Sequence, residues 1–107
     1  MDVASLEFDW DEGNRAKCEK HGVSVQSIEG IFERPVAVFP DPEHSADEER
    51  FIGIGKTETG RGIFIAFTLR RKDQHVRIRP ISARYMHRKE VRYYEKEASQ
   101  AEKRRGG

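Results

Sequence analysis

The segment 76–84, which reads V-R-I-R-P-I-S-A-R, constrains the fold more than any other stretch of the chain. Apolar and arginine side chains alternate in its first half, which is the period of a β-strand with one buried and one solvent-facing side. Pro80 has no amide N–H to donate to a neighbouring strand, so we expect the strand to end or to bulge there. Arg79 and Arg84 flank this break, and planar guanidinium groups on a rigid scaffold are well suited to bind phosphate.

A basic helix is predicted directly after this strand, over Tyr85–Arg105. Apolar side chains recur at helical spacing along one side of it, at Val91, Tyr94, Ala98 and Ala101. The last residues, 103–107, are expected to be a disordered tail.

The whole pattern predicts one α+β domain over residues 1–107. It consists of an N-terminal strand and two helices, then a four-stranded antiparallel β-meander, then the C-terminal basic helix. The first strand is expected from Leu6. The first helix is expected to begin at Asp9, with Glu12 completing a capping box, and to stop at Gly22 in the left-handed region.

Ser24 is expected to cap the second helix, with Val25, Ile28 and Phe32 on one face. The meander strands are expected at Val36–Phe39, Arg50–Lys56, Ile63–Leu69 and from Val76 onward. In the second of these, Ile52 and Ile54 are expected to face the core and Phe51 the opposite side. The third is continuously apolar apart from Thr68, which indicates a central strand. The connections are expected to be an acidic loop at 41–49, a turn at 57–62 and a basic loop over Arg70–His75.

Charge is unevenly distributed along the chain. Residues 1–58 hold 14 acidic and 6 basic side chains, a net of −8, whereas residues 59–107 hold 5 acidic and 14 basic ones, a net of +9. This asymmetry fits either a face that binds a polyanion or two halves that pack together and neutralise each other.

Composition excludes several classes of protein. Cys18 is the single cysteine, which excludes an internal disulfide and fits a cytoplasmic protein. No apolar run approaches the roughly 20 residues that span a bilayer, so no membrane partner is expected. No recognised metal-ligand spacing occurs, and neither a metal nor an organic cofactor is expected.

Several short motifs together resemble one known family. They are Asp9-Trp10-Asp11, K-H-G-V-S at 20–24, E-E-R-F at 48–51, and I-S-A-R at 81–84 with Glu90 and Tyr94 beyond it. In this order they are similar to the BrnT toxins of type II toxin–antitoxin pairs, over Leu6 to Glu95. Two features depart from the family pattern: the spacing between the first two motifs is one residue shorter, and Pro80 stands where an aliphatic residue is usual.

The resemblance implies a RelE-like fold and a ribonuclease that stops translation. It also implies RNA as the substrate and neutralisation by a cognate, BrnA-like antitoxin in a heterotetramer. RNA cleavage without a metal requires a base for the 2′-hydroxyl, a cation for the charged phosphorus intermediate, and an acid for the leaving oxygen. The candidate catalytic residues are Lys20, His21, Arg79, Arg84, Glu90 and Tyr94, and the candidate RNA-binding residues are Arg50, Arg77, Arg88 and Lys89.

Each candidate also has a purely structural interpretation. Glu90 could pair with neighbouring cations, Tyr94 could belong to the buried stripe of its helix, and His21 could be a helix-end cation. For the whole chain, the alternative is a non-catalytic module that binds nucleic acid or a protein partner.

Overall fold

The chain forms three α-helices and one five-stranded sheet. The computed structural model describes residues 7–44 and 46–106, with side chains as far as 97 and at 99. The elements are β1 (Glu7–Phe8), α1 (Glu12–Glu19), α2 (Val25–Glu33), β2 (Ala37–Pro40), β3 (Arg50–Lys56), β4 (Gly62–Lys72), β5 (His75–Tyr85) and α3 (Arg88–Gly106), with a short 3₁₀ turn at Pro42–His44. No helix in the described part is long and apolar enough to span a membrane.

The order of the strands confirms the α+β class and enlarges the predicted sheet. Strands β2 to β5 form the expected antiparallel meander, and β4 lies at the centre of the order β1-β5-β4-β3-β2. The N-terminal strand β1 adds a fifth strand, because it pairs in parallel with β5 through Glu7 and Arg77. The sheet is therefore mixed. Leu6, where this strand was expected to begin, is outside the described residues.

Helix α1 begins two residues later than the sequence suggested. Asp11 is the N-cap: its carboxylate accepts from the Asn14 N–H at 2.9 Å, and the Asn14 side-chain oxygen accepts from the Asp11 N–H at 2.7 Å. Asn14 is buried, and its amide group donates to the carbonyls of Asp9 and Pro80, both at 2.9 Å. These hydrogen bonds of Asn14 to distant parts of the fold favour Asp11 over Asp9 as the N-cap. The predicted capping pair of Asp9 and Glu12 was wrong.

The second helix follows the prediction closely. Gly22 has a φ of +84°, a conformation that would be strained for a residue with a side chain. It follows the end of α1, as expected. Ser24 caps α2 by accepting from the Ser27 N–H at 3.1 Å. Ile28 and Phe32 are fully or almost fully buried on the face that meets the sheet.

The main core lies on one side of the sheet, beneath α1 and α2. Its buried members are Cys18, Val23, Ile28, Ile31, Phe32, Ile63, Ile65, Phe67, Ile78 and Ala83. The rings of Phe32 and Phe67 meet edge to face at 5.3 Å between centroids. We call this side of the sheet the core face and the opposite side the outer face.

Strand β3 is turned over relative to its predicted orientation. Phe51 lies on the core face, where it stacks on Phe67, and Ile54 lies on the outer face. The other core-facing positions of β3 are glycines: a Cβ on Gly55 would lie 2.9 Å from the Cβ of Ile31. Helix α2 lies so close to β3 that only glycine fits, so the two isoleucines of this strand face away from α2.

The last hairpin and helix also differ from their predicted bounds. Strands β4 and β5 continue through most of the expected loop and are joined at Asp73 and Gln74, both with positive φ, as tight hairpins with right-handed strand twist require. Tyr85 belongs to β5, and α3 begins only at Arg88. Its backbone stays helical to Gly106, through most of the expected tail; Gly107 and the side chains of Ala98 and Ala101 are outside the described part.

Candidate functional site

A bulge in β5 determines which side of the sheet carries Arg84. Pro80 pairs with Phe67, but the next pair along is Ser82 with Ala66, so Ile81 is an extra residue with no partner. The bulge confirms the break predicted at Pro80. Because it changes the alternation of side chains by one, the residues after it exchange faces, and Arg84 lies on the outer face instead of the core face.

Arg84 is held in a two-point ion pair with Glu90 at the start of α3. Its two terminal nitrogens donate to the two carboxylate oxygens at 3.0 and 2.9 Å. The guanidinium also lies over the ring of Phe64, 4.6 Å from the centroid, and the hydrogen bonds with Glu90 raise its pKa further. A guanidinium has five N–H donors. Two of them are used in the pair with Glu90, and the Arg84 side chain is 43% exposed.

Glu90 is fixed on both sides. The same carboxylate that pairs with Arg84 accepts from the backbone N–H of His87 at 3.2 Å, which caps the first turn of α3. The Arg84 guanidinium, followed by this backbone bond, lowers the Glu90 pKa from 4.5 to about 2. Glu90 is therefore a carboxylate at neutral pH, and a very weak base.

Tyr94 completes this group of residues. It is half-buried one turn after Glu90, with its ring 5.7 Å from that of Phe39. Its charged form interacts with Arg84 closely enough to affect the arginine pKa. The structure thus brings together three of the six predicted catalytic residues: Arg84, Glu90 and Tyr94.

Arg79 lies apart from that group. Its terminal nitrogens face two other carboxylates, Asp11 at 2.7 Å and Asp9 at 3.5 Å, and the bond to Asp11 raises its pKa. Along the sheet, Arg79 and Arg84 pair with Thr68 and Phe64 of β4. Four residues of strand correspond to about 13 Å. The structure therefore does not support the expectation that both arginines bind one phosphate.

Lys20 and His21 are also separate from Arg84. Both are exposed and follow α1, which packs against the core face through Cys18. Arg84 projects from the opposite side of the sheet. An eight-residue helix is about 12 Å long, so the end of α1 is also distant from Asp11 and Arg79 at its beginning.

The four predicted RNA-binding residues are dispersed. Arg77 pairs with Glu7 at 3.5 Å on the edge of the sheet, and Arg50 is half-buried at the start of β3. Arg88 and Lys89 are exposed in the first turn of α3. Only Arg88 lines a cleft that the structure reveals beside this turn.

Three cations of this cleft, Lys56, Arg61 and Arg92, were not predicted from the sequence. Its volume is about 510 Å³, and its charged lining residues are Lys56, Arg61, Arg88, Arg92 and Glu95. Gly62 lies at its base, where a Cβ would clash with Val91 of α3. The spacing of Arg88 and Arg92, four residues apart on a helix, was the one sequence signal that could have indicated it.

The described residues contain no group of three or more His, Cys, Asp or Glu side chains placed to hold a metal ion. The ionisable groups around Arg84 on the outer face are Glu90, which pairs with it, and Tyr94.

Comparison with known proteins gives one family. A model of the family described as ribonuclease toxin, BrnT, of type II toxin–antitoxin system matches residues 10–90. This range contains β2 to β5, both short helices and the Arg84–Glu90 pair. A search of curated proteins found no match.

Proposed function

The chain belongs to the BrnT family of ribonuclease toxins of type II toxin–antitoxin systems, and from that premise we propose that Arg84 stabilises the charge on the phosphate at which RNA is cleaved. One observation carries this proposal. Glu90 orients the Arg84 guanidinium with two hydrogen bonds, and the Arg84 side chain remains 43% exposed, with five N–H donors of which this pair uses two. Oriented donors of this kind stabilise a charge that develops during reaction, because they need no rearrangement.

The proposed reaction uses no metal. The 2′-hydroxyl attacks the adjacent phosphorus atom and loses its proton, while the bond from phosphorus to the 5′-oxygen breaks and that oxygen gains a proton. The products are a 2′,3′-cyclic phosphate and a free 5′-hydroxyl. Arg84 neutralises the additional negative charge on the non-bridging oxygens.

Glu90 is assigned a positioning role and not a proton-transfer role. A carboxylate with a pKa of about 2 is too weak a base to take a proton from a hydroxyl and has no proton to give at neutral pH. Two further polar side chains flank the pair along the chain: His87 donates its backbone N–H to Glu90, and Tyr94 lies one turn after Glu90 on α3. We assign proton transfer to these two in preference to the distant Lys20 and His21.

The family membership supports the biological part of the proposal. A ribonuclease toxin of a type II pair has RNA as its substrate and a cognate antitoxin as its partner. We propose further that the fold is RelE-like, that the substrate is messenger RNA in the cytoplasm, and that cleavage stops translation. We also propose that the antitoxin is BrnA-like and binds in a heterotetramer.

The direct test is an RNA cleavage assay with purified protein in EDTA. We expect cleavage to continue in the chelator and to leave 2′,3′-cyclic phosphate or 3′-phosphate ends. Activity that is lost in EDTA and restored by magnesium would overturn the metal-free reaction.

The same assay tests Arg84. Arg84→Lys keeps the charge but loses the two-point geometry, so we expect cleavage to slow on the order of 10²-fold, as when one oxyanion donor is removed. Arg79→Lys is the matched control, since Arg79 lies in a different ion-pair group. Equal slowing by both variants would restore the idea of a shared phosphate, and wild-type rates in both would place the site elsewhere.

A further inference from the structure

The cleft between the β3–β4 hairpin and the first turns of α3 has an excess of positive charge. Its lining contains four cations from three segments, namely Lys56, Arg61, Arg88 and Arg92, and a single carboxylate, Glu95. Glu95 pairs with Lys56. The three arginines have no carboxylate partner among the described side chains, in contrast to Arg79 and Arg84.

Arg61 is oriented by an aromatic ring and not by an acid. Its guanidinium lies 3.6 Å from the centroid of the Tyr85 ring. A cation over a ring at this distance is attracted by the ring face and does not use its N–H donors in the contact. Tyr85 follows Arg84 in β5 but lies on the core face, so Arg61 lies between the cleft and the neighbouring surface that Tyr85 also lines.

Arg88 and Arg92 are four residues apart on α3 and line the same cleft. Like charges at this spacing destabilise a helix by a few tenths of a kcal/mol. The close contact of Val91 with Gly62 then holds this turn of the helix against the hairpin, so the two arginines face a concave surface. A destabilising arrangement maintained by packing indicates a ligand that neutralises it.

The neighbouring concave surface on the other side of the hairpin has the opposite character. Its lining contains three carboxylates, Glu29, Glu33 and Glu58, and two cations, Arg34 and Arg61. Arg34 there is already paired with Glu58 at 3.5 Å. Of these two surfaces, the cleft beside α3 is therefore the one with an excess of positive charge.

We propose that this cleft binds the sugar–phosphate backbone of single-stranded RNA next to the bond that is cleaved. The inference rests on the proposed ribonuclease function and adds where the rest of the substrate lies. A volume of about 510 Å³ falls within the range of natural ligand sites, about 300–1,000 Å³. Arg61, Arg88 and Arg92 bind phosphates there, and the chain of RNA reaches Arg84 across the first turn of α3.

The test measures binding of a single-stranded 2′-O-methyl RNA oligonucleotide, which lacks the attacking hydroxyl and cannot be cleaved. Each phosphate contact to single-stranded nucleic acid contributes about 0.7 to the slope of log affinity against log salt. For Arg88→Gln/Arg92→Gln we therefore expect the slope to fall in magnitude by about 1.4 and affinity at about 0.1 M salt to fall roughly 25-fold. On a cleavable RNA, KM should rise while kcat stays within about twofold, because these contacts are made before and during reaction alike.

The control variant is Arg15→Gln/Lys17→Gln, which makes the same change in net charge on α1, on the core side of the sheet. We expect it to leave the slope and the affinity unchanged. An equal effect of both variants would overturn the proposal, since only long-range attraction would then be at work. An unchanged slope in the cleft variant would also overturn it.

Two further outcomes separate the alternatives. If the cleft variant lost affinity for the antitoxin but bound RNA normally, the cleft would be a protein-binding site and the proposal would be wrong. If the wild-type protein bound the oligonucleotide with the expected slope but never cleaved RNA, this inference would stand while the proposed function failed.

Discussion

At the scale of single residues, Glu90 links the proposed site to the helix that carries it. Its carboxylate holds Arg84 and caps α3 through the His87 N–H at the same time. The position of the cation and the start of the helix are therefore set by one group. The sequence indicated Arg84 and Glu90 as candidates, but six residues of separation across a strand end gave no evidence that they pair.

This double role predicts a dependence of stability on pH. The pKa of Glu90 is lowered from 4.5 to about 2 in the folded chain, so its stabilising contribution is complete above pH 4.5 and is lost as the pH falls toward 2. The side chains of Arg84 and Glu90 are 43% and 30% exposed, so we expect Glu90→Gln to lower the free energy of unfolding by about 1 kcal/mol at pH 6. In urea titrations the difference from wild type should shrink steadily below pH 4.5.

The matched control is Glu97→Gln, an exposed glutamate of the same helix with no ion-pair partner among the described side chains. Its effect on the free energy of unfolding should be small, because it removes no ion pair. A constant difference between Glu90→Gln and wild type from pH 6 to pH 3 would contradict the assigned ion pair.

At the scale of elements, close packing determined what the strand patterns left open. The composition of β3 suggested that its isoleucines face the core, yet glycines occupy the core face: α2 approaches closely at Gly55, and side chains of β4 crowd Gly53. The bulge at Ile81 acts similarly in β5, where it allows Ala83 to be buried and Arg84 to face outward. In both strands, the alternation of side chains between the two faces was predictable, but which residues face the core was not.

This close packing predicts that one added methyl group at Gly55 lowers the free energy of unfolding considerably. In Gly55→Ala the new Cβ would lie 2.9 Å from the Cβ of Ile31, which is fully buried and cannot move aside easily. We expect a loss of about 1–3 kcal/mol in the free energy of unfolding, typical of overpacking. Thermal unfolding followed by circular dichroism should show a clear fall in Tm.

Gly30→Ala provides the comparison, because Gly30 lies inside α2 and its added methyl would meet only the flexible end of Arg34 at 3.4 Å. That substitution should raise the free energy of unfolding by up to about 1 kcal/mol through helix propensity. If both glycines tolerated alanine equally, α2 and β3 would not be in the close contact described.

At the scale of the whole molecule, the two oppositely charged halves of the chain are partly neutralised. Ion pairs join them at Arg77 with Glu7, at Arg79 with Asp9 and Asp11, and at Arg70 with Glu48. These pairs account for much of the basic half of the sheet. Part of the positive charge that they leave unpaired lies at the cleft beside α3, at Arg61, Arg88 and Arg92. Neutralisation between the halves and a basic surface therefore occur together.

The family membership predicts a phenotype for the intact protein. Induced expression of the chain alone should arrest bacterial growth, and co-expression of the cognate antitoxin should restore it. Arg84→Lys, expressed to the same level, should be much less toxic because cleavage is slowed. Normal growth with abundant soluble wild-type protein would contradict an active toxin while leaving the fold unaffected.

Local patterns were sufficient to predict the order of the elements, the cap of α2 at Ser24, the central place of β4 and the break at Pro80. These features depend on local rules, namely side-chain period, capping chemistry and the missing N–H of proline. Tertiary structure alone decided the phase of β3, the choice of Asp11 over Asp9 as the cap of α1, and the separation of Arg79 from Arg84. It also assembled the cleft from residues that are up to 39 positions apart, Lys56 and Glu95. Such features depend on which surfaces pack together and on how close the packed elements lie. Residues that are neighbours in the chain carry no information on the distance between elements.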